Sequence, residues 1–168
     1  MQTELALNMP APLIGEFADL PQLYRLDTFK VQLVAEPGMN PGRPIRSSED
    51  LYQYAKSVYA TLDADKEHFT IISVNNKNRV HGFKVISTGT LTASLVHPRE
   101  VWRAALYMCS AAVLFVHNHP SGDPAPSPED IDLTRRLKQT ADMLAIKIQD
   151  HIVLGHDRYF SFSDRGML

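Results

Sequence analysis

The strongest constraint on the fold is a short, wholly apolar run, "AVLFV" at residues 112–116, which stops at two histidines one residue apart. A strand that is apolar at every position is typical of the middle of a sheet covered on both faces. A loop rich in Pro and Gly follows, and then Ser127 and Pro128 form the pattern that opens a helix. The sequence therefore predicts a buried strand, a loop and a long helix that ends near Ala145.

The rest of the chain alternates between strand-like and helix-like patterns. Two more helices are predicted to begin at Ser47 or Ser48 and at Pro98. Strands and extended stretches are predicted at residues 26–35, 67–75, 79–87, 89–96, 146–155 and 158–162. This order predicts a single α/β (α+β) domain with a mixed β-sheet flanked by helices. Residues 1–23 contain three prolines and little periodicity. They are predicted to form a flexible amino-terminal arm, so that the domain spans residues 24–168.

Composition places the chain in a broad class. Its 168 residues carry a formal net charge of −2, and this balance does not favour direct DNA binding. Cys109 is the only cysteine, which excludes an internal disulfide and indicates a reducing compartment. No apolar run approaches the roughly 20 residues that a membrane-spanning helix needs, and the amino terminus lacks the pattern of a signal peptide. We therefore expect a cytoplasmic protein with no membrane partner.

The two histidines after the apolar strand are the first candidate metal ligands. Alternate residues of a strand point to the same side, so His117 and His119 are expected to project together where the strand ends. Zinc in proteins takes three or four protein ligands, so a third is needed. Because the pattern places Cys109 inside the second helix, as a small core residue, the third ligand should be a carboxylate.

Three aspartates follow the histidines: Asp123, Asp130 and Asp132. Asp130 lies one turn before Leu133, which begins the apolar stripe of the long helix, whereas Asp132 is rotated away from that face. Asp123 lies in the loop and is the weaker candidate. An acid on a buried face needs a partner, which a cation beside the histidines would supply. A capping box between Ser127 and Asp130 also explains the acid, and the two explanations are compatible.

Hydrolysis at such a metal also needs a base to accept the proton of the attacking water. Glu67 stands at the start of a predicted strand, where its carboxylate is exposed at the end of the sheet. Glu100 lies in the first turn of a helix, a position that already explains an acid. The pattern alone favours Glu67 and leaves Glu100 open.

These residues, taken together, resemble a known motif. The spacing of Glu67, His117-x-His119, Ser127 and Asp130 resembles the JAMM motif of JAB/MPN metalloproteases. The segments "GTLTASLVHPREVWRAAL", "VHNHPSGDPAPSPEDIDLTRRL" and "DHIVLG" resemble the RadC family. The resemblance implies a JAB/MPN (cytidine-deaminase-like) fold and a zinc-dependent hydrolase of peptide or isopeptide bonds. It further implies that Zn²⁺ is bound by His117, His119 and Asp130. The resemblance also implies that Glu67 acts as general acid/base and that Ser127 donates a hydrogen bond to the developing oxyanion.

Two other functions stay open. One is a metal-dependent phosphoesterase or nuclease linked to DNA repair, because water activated by zinc attacks phosphorus as well as carbon. The other is a non-catalytic interaction module with a structural zinc, although such a site needs neither Glu67 nor Ser127. The partner expected for the hydrolase is a peptide or protein substrate, and a homo-oligomer is compatible with the sequence.

Two further assignments concern polar residues beside the predicted strands. Asp150 and His151 are interpreted as a polar pair at a strand end, although they could also orient a metal-binding imidazole. His68 is assigned to a surface or turn position.

Overall fold

The computed structural model of the chain describes residues 44–89 and 96–168. The predicted arm at residues 1–23, the predicted strand at 26–35 and most of the extended stretch at 89–96 lie outside these ranges. The described part contains three helices and five strands. In chain order they are α1 (Ser48–Tyr59), β1 (Glu67–Val74), β2 (Val80–Gly89), α2 (Pro98–Tyr107), β3 (Ala112–Asn118), α3 (Pro128–Leu144), β4 (Lys147–Leu154) and β5 (Tyr159–Ser161).

The five strands form one mixed sheet in the order β2-β1-β3-β4-β5. The β3–β4 pair is parallel, and the other neighbouring pairs are antiparallel. As the apolar run predicts, β3 lies in the centre and is buried at every position except its last residue. The α/β (α+β) prediction with a mixed sheet flanked by helices is confirmed.

The alternation of side chains along β3 separates two hydrophobic cores. Val113 and Phe115 pack on one face with buried residues of α2 and α3. Leu114 and Val116 pack on the other face with buried residues of α1. Strand direction then determines what meets at the carboxyl end of β3. The parallel partner β4 ends there, and the antiparallel partner β1 begins there.

The prediction that Cys109 is a small core residue inside a helix is wrong. Helix α2 ends at Tyr107, and Met108 is its C-cap. Cys109 follows with a φ of 49° and is exposed. Its backbone N–H donates to the carbonyl of Leu106 in the tight turn that leads into β3. The apolar pattern continues through this turn, and for that reason the sequence does not reveal the end of the helix.

The assignment of His68 to the surface is also wrong. His68 is the second residue of β1 and is 4% exposed. Its ring nitrogens are satisfied by the Thr88 hydroxyl at 3.0 Å and the carbonyl of Asp63 at 2.9 Å. A buried histidine with both nitrogens bonded is stable as a core residue. In the same described part of the chain, no helix combines the length and apolar character needed to span a bilayer.

Candidate metal centre

The end of β3 brings two imidazoles to the edge of the sheet. His117 is buried in the face covered by α2 and α3, and its ring stacks near Phe69 with the centroids 6.2 Å apart. His119 comes two residues later, just beyond the strand, and is partly exposed. The Nε2 atoms of the two rings are 3.2 Å apart. The strand alternation that predicts a shared direction for these side chains is thus confirmed.

The first turn of α3 brings Asp130 to the same point. Ser127 is the N-cap, and it forms a complete capping box with Asp130. The backbone N–H of Ser127 donates to Asp130 Oδ2 at 2.7 Å, while the backbone N–H of Asp130 donates to Ser127 Oγ at 3.1 Å. The Ser127 hydroxyl also donates to Asp130 Oδ2, at 2.7 Å. The capping box predicted for Ser127 and Asp130 is therefore confirmed, and it fixes where the Asp130 carboxylate points.

His117, His119 and Asp130 form a group whose ligand atoms are close enough to share one metal ion. Asp130 Oδ1 lies 3.2 Å from His117 Nε2, and Asp130 Oδ2 lies 3.3 Å from His119 Nε2. Atoms bound to a tetrahedral ion at about 2.0–2.1 Å are separated by about 3.3 Å. The donor set and its spacing thus fit a small divalent cation.

The position of the ring hydrogen of His119 also fits a cation site. His119 Nδ1 lies 2.8 Å from the backbone carbonyl of Asp123. A carbonyl oxygen only accepts hydrogen bonds, so Nδ1 carries the hydrogen and the neutral ring keeps a bare Nε2. This bare nitrogen faces His117 and Asp130. Asp123 therefore takes part through its backbone, while its exposed side chain lies 3.5 Å from Arg158.

The charges in this group shift the pKa values of its members in the directions expected for ion pairing. Burial raises the pKa of Asp130, but hydrogen bonds from His117 and His119, which form when Nε2 of the ring is protonated, outweigh burial and hold that pKa well below its usual range. The hydrogen bond with Asp130 raises the pKa of His119 above the ordinary value of 6.5, against the effect of burial. A metal ion binding here therefore competes with protons for the same atoms.

Asp132 behaves as its helix phase predicts. Its carboxylate is half exposed and pairs with Arg135 and Arg136, each at 3.0 Å. It belongs to the solvated face of α3 and not to the group of three. The separation of Asp130 from Asp132 by helical phase is confirmed.

Glu67 lies at the edge of the sheet where the two histidines lie. The antiparallel register pairs Phe69, two residues after Glu67, with His117. Because Glu67 is two residues from Phe69 on a strand, its side chain leaves the same face. Its negative charge also raises the pKa of His119, by less than Asp130 and the Asp123 carbonyl raise it. Glu100, in the first turn of α2, instead pairs with Arg103 among exposed side chains.

Asn118, the residue between the histidines, was not among the predicted site residues. Its Oδ1 accepts from the backbone N–H of His68 at 2.8 Å, and its Nδ2 donates to the carbonyl of Lys66 at 2.9 Å. The side chain thus ties Lys66 and His68, the two neighbours of Glu67, to the end of β3. A polar residue between two candidate ligands is the only signal of this brace in the sequence.

The interpretation of Asp150 and His151 as a strand-end pair is wrong. Both residues lie within β4, and both are buried. His151 Nε2 is 2.8 Å from His117 Nδ1, so His151 instead contacts an imidazole of the candidate metal group. Asp150 instead accepts hydrogen bonds from the Ser161 hydroxyl and the backbone of Ser163. The parallel pairing of β4 with β3 causes this contact, and no short-range pattern reveals it.

A cleft of about 250 Å³ opens beside His119 on the side of α1. Its walls include Tyr52, Lys56, Tyr59 and Asn118, together with the loop residues that follow His119. Of the group of three, His119 alone lines the cleft, so one side of His119 is accessible from solvent.

Comparison with known proteins identifies the family. The family model of the RadC-like JAB domain matches residues 45–167. A UPF0758 protein of Desulfitobacterium hafniense is 50% identical over 104 residues, which cover 62% of this chain and 46% of the relative. One from Syntrophotalea carbinolica is 42% identical over 142 residues, covering 82% of this chain and 61% of the relative. One from Methanococcoides burtonii is 43% identical over 129 residues, covering 77% and 56%. The chain thus spans about half the length of these relatives, and it belongs to the RadC-like JAB domain family.

Proposed function

We propose that this chain is a zinc-dependent metallohydrolase of the JAMM type that cleaves peptide or isopeptide bonds. The observation that carries the proposal is the convergence of His117 Nε2 and His119 Nε2, 3.2 Å apart, on the Asp130 carboxylate, whose Oδ1 lies 3.2 Å from the first nitrogen and whose Oδ2 lies 3.3 Å from the second. Two imidazole nitrogens and one carboxylate favour zinc over calcium or magnesium, which prefer oxygen ligands. Three protein ligands leave a position open, as in catalytic zinc sites.

Bound zinc would supply Lewis acidity toward water and toward the carbonyl oxygen of the substrate. Glu67 is the proposed general base, which accepts the proton of the attacking water and returns it to the leaving amine. Its place at the start of β1, two residues before the partner of His117, supports this role, and the Asn118 side chain ties both neighbours of Glu67 to the end of β3. Glu100 is a poorer candidate, because its carboxylate is already paired with Arg103.

Ser127 is the proposed donor to the developing oxyanion, which adds electrostatic stabilisation of the kind found in oxyanion holes. Its hydroxyl hydrogen points to Asp130 Oδ2 in the metal-free arrangement. Donation to a substrate requires this hydrogen to rotate away, and Asp130 Oδ2 then keeps the backbone N–H of Ser127 as its donor. The capping box thus survives the change in the direction of the hydroxyl hydrogen.

The proposed substrate is a peptide or protein, and the cleft beside His119 is the proposed approach. Lys56, Tyr52 and Tyr59 on its wall offer a cation and aromatic surface next to the site. Open access to His119 favours catalysis over a purely structural zinc, since structural sites are closed by a fourth protein ligand. The cytoplasm, where thiols stay reduced, is the proposed setting for a chain with one exposed cysteine.

The proposal is tested by metal analysis together with a cleavage screen. We expect about one zinc per chain in protein purified without chelator. The protein and its Glu67→Gln variant are then incubated with a peptide library, with isopeptide-linked conjugates and with a phosphodiester substrate. Cleavage of a peptide or isopeptide bond by the parent alone supports the hydrolase. Phosphodiester cleavage alone would instead favour the nuclease alternative, and zinc without any cleavage would favour the structural-site alternative.

A further inference from the structure

His151 is a fully buried imidazole that the proposed mechanism does not use. It is 0% exposed and lies among aromatic rings, stacked on Phe162 with the centroids 4.8 Å apart and edge-on to Phe69 and Phe115. A charged imidazolium in this setting would be costly, and a neutral one still needs partners for both nitrogens. Both partners are present, and they determine where the protons lie.

The first partner is Thr134, in the second turn of α3. Its hydroxyl lies 2.6 Å from the backbone carbonyl of Asp130 and 2.8 Å from His151 Nδ1. The carbonyl only accepts, so the single hydroxyl hydrogen of Thr134 is directed to it. The Thr134 oxygen therefore accepts from His151, and His151 Nδ1 carries a hydrogen.

The second partner is His117. A neutral His151 with a hydrogen on Nδ1 has a bare Nε2, and this atom is 2.8 Å from His117 Nδ1. Two nitrogens 2.8 Å apart, with no metal position between them, require a hydrogen between them, so His117 Nδ1 carries it. A neutral His117 then has a bare Nε2, which is the atom that faces His119 and Asp130.

We propose that His151, oriented by Thr134, is a positioning residue that fixes His117 in the tautomer whose Nε2 binds the metal; this inference rests on the zinc site of the proposed function. The chain of hydrogen bonds begins at the backbone of Asp130 and ends at His117. It therefore ties two of the three proposed ligands together through the core. His119 reaches the same tautomer by a different route, through the Asp123 carbonyl.

The acceptor in this chain is unusual for a metal-binding histidine. Such histidines generally donate their second N–H to a carboxylate, a backbone carbonyl or water. A neutral imidazole adds no negative charge behind His117. The site consequently gains orientation without the extra electron donation that a carboxylate partner would give to the metal ligand.

The test uses two variants and one matched control. His151→Phe keeps the aromatic ring between its neighbours and removes the acceptor for His117. Thr134→Val keeps the shape of the threonine and removes the acceptor for His151. Thr70→Val makes the same change at another fully buried threonine, whose hydroxyl bonds Tyr59 beside the other core. Unfolding midpoints of all three variants report whether each one folds.

The first measurement is made on metal-free parent protein by nitrogen-15 NMR of the histidine rings, at about pH 8, where a free imidazole is neutral. We expect His117 to be protonated on Nδ1 and a scalar coupling to cross the hydrogen bond to His151 Nε2. His117 protonated on Nε2 instead would overturn the proposal. This measurement contains no metal, so it decides the inference even if the parent protein fails to bind zinc and the proposed function is lost.

The second measurement is zinc affinity by competition with a chromogenic chelator. His151→Phe should weaken zinc binding by about 10- to 100-fold, the range found for residues that orient metal ligands. Thr134→Val should fall near the lower end of that range, and Thr70→Val should stay within about twofold of the parent. A folded His151→Phe with parental affinity overturns the proposal. Should His151→Phe fail to fold, parental affinity in Thr134→Val overturns it.

Discussion

Ser127 and Asp130 satisfy each other's backbone: the N–H of Ser127 donates to the Asp130 carboxylate at 2.7 Å, and the N–H of Asp130 donates to the Ser127 hydroxyl at 3.1 Å. This pair begins α3 and also directs a carboxylate toward His117 and His119. Helix capping and the aim of a candidate metal ligand thus depend on the same two side chains. Substitutions at this pair should separate the two roles.

The first prediction concerns Asp130 and Asp132. Asp130→Ala should abolish zinc retention through gel filtration, because the buried carboxylate is the only one that faces both histidines among the described residues. Asp132→Ala removes a solvated carboxylate paired with Arg135 and Arg136, so zinc content should be unchanged. Elemental analysis of both variants measures this, and equal zinc loss in the two would contradict the assignment.

The second prediction compares the N-caps of two helices. Ser127→Ala and Ser47→Ala each remove a hydroxyl that accepts from the backbone N–H of the third residue of a helix. Each should lower the free energy of unfolding by about 1 kcal/mol. Only Ser127→Ala should also lower hydrolytic activity, because Ser47 caps α1 and has no contact with the group of three. Denaturant unfolding and the activity assay separate the effects, and an identical activity profile for both variants would remove Ser127 from the mechanism.

How much of this structure can be predicted from the sequence depends on whether the interacting residues lie in one element or in two. The buried run before His117 predicts a central strand, and the helix phase separates Asp130 from Asp132; both follow from periodicities within one element. Contacts between elements are different. His151 meets His117 only because β4 pairs in parallel with β3, and a pattern within β4 does not contain that pairing. The prediction for Cys109 is wrong for a related reason. A residue with a left-handed backbone conformation in a tight turn does not change the apolar periodicity of the sequence.

The third prediction separates the base from the scaffold. Glu67→Gln should keep zinc and fold but lower hydrolysis by about 10²- to 10⁴-fold if Glu67 is the general base. Glu100→Gln should cost little activity, because the pair it breaks with Arg103 is exposed. Rates on a cleaved substrate, with zinc content measured in parallel, test this. Parental activity in Glu67→Gln, or a large loss in Glu100→Gln, would reassign the base.

The fourth prediction concerns pH. The hydrogen bond with Asp130 raises the pKa of His119 above 6.5 in the metal-free protein, so at a given pH more of this ring is protonated than a free imidazole would be. Zinc must displace that proton, and its affinity should therefore fall as pH falls, by about tenfold per pH unit where one proton is released. Titration calorimetry in buffers of different ionisation enthalpy between about pH 8 and pH 6 counts the protons. Affinity that does not vary over this range would exclude the competition.

The last prediction concerns the loop that holds His119. A Cβ atom added at Gly155 would lie 2.5 Å from the carbonyl oxygen of Gly122 and 2.7 Å from Cδ of Pro124. Neither atom is at the end of a flexible side chain, so the loop has to move. The same loop contains the Asp123 carbonyl that orients His119. Gly155→Ala should therefore lower the free energy of unfolding by about 1–3 kcal/mol and weaken zinc binding by roughly tenfold.

Gly166→Ala provides the matched control for that loop. Gly166 has a φ of +64°, and an added Cβ would meet nothing within 4 Å. The left-handed backbone conformation alone should cost about 1–2 kcal/mol in this variant, with zinc affinity unchanged. Thermal unfolding and chelator competition on both proteins compare the two effects. If Gly155→Ala loses stability but keeps parental zinc affinity, the loop does not control His119, and orientation of that ligand depends on β3 alone.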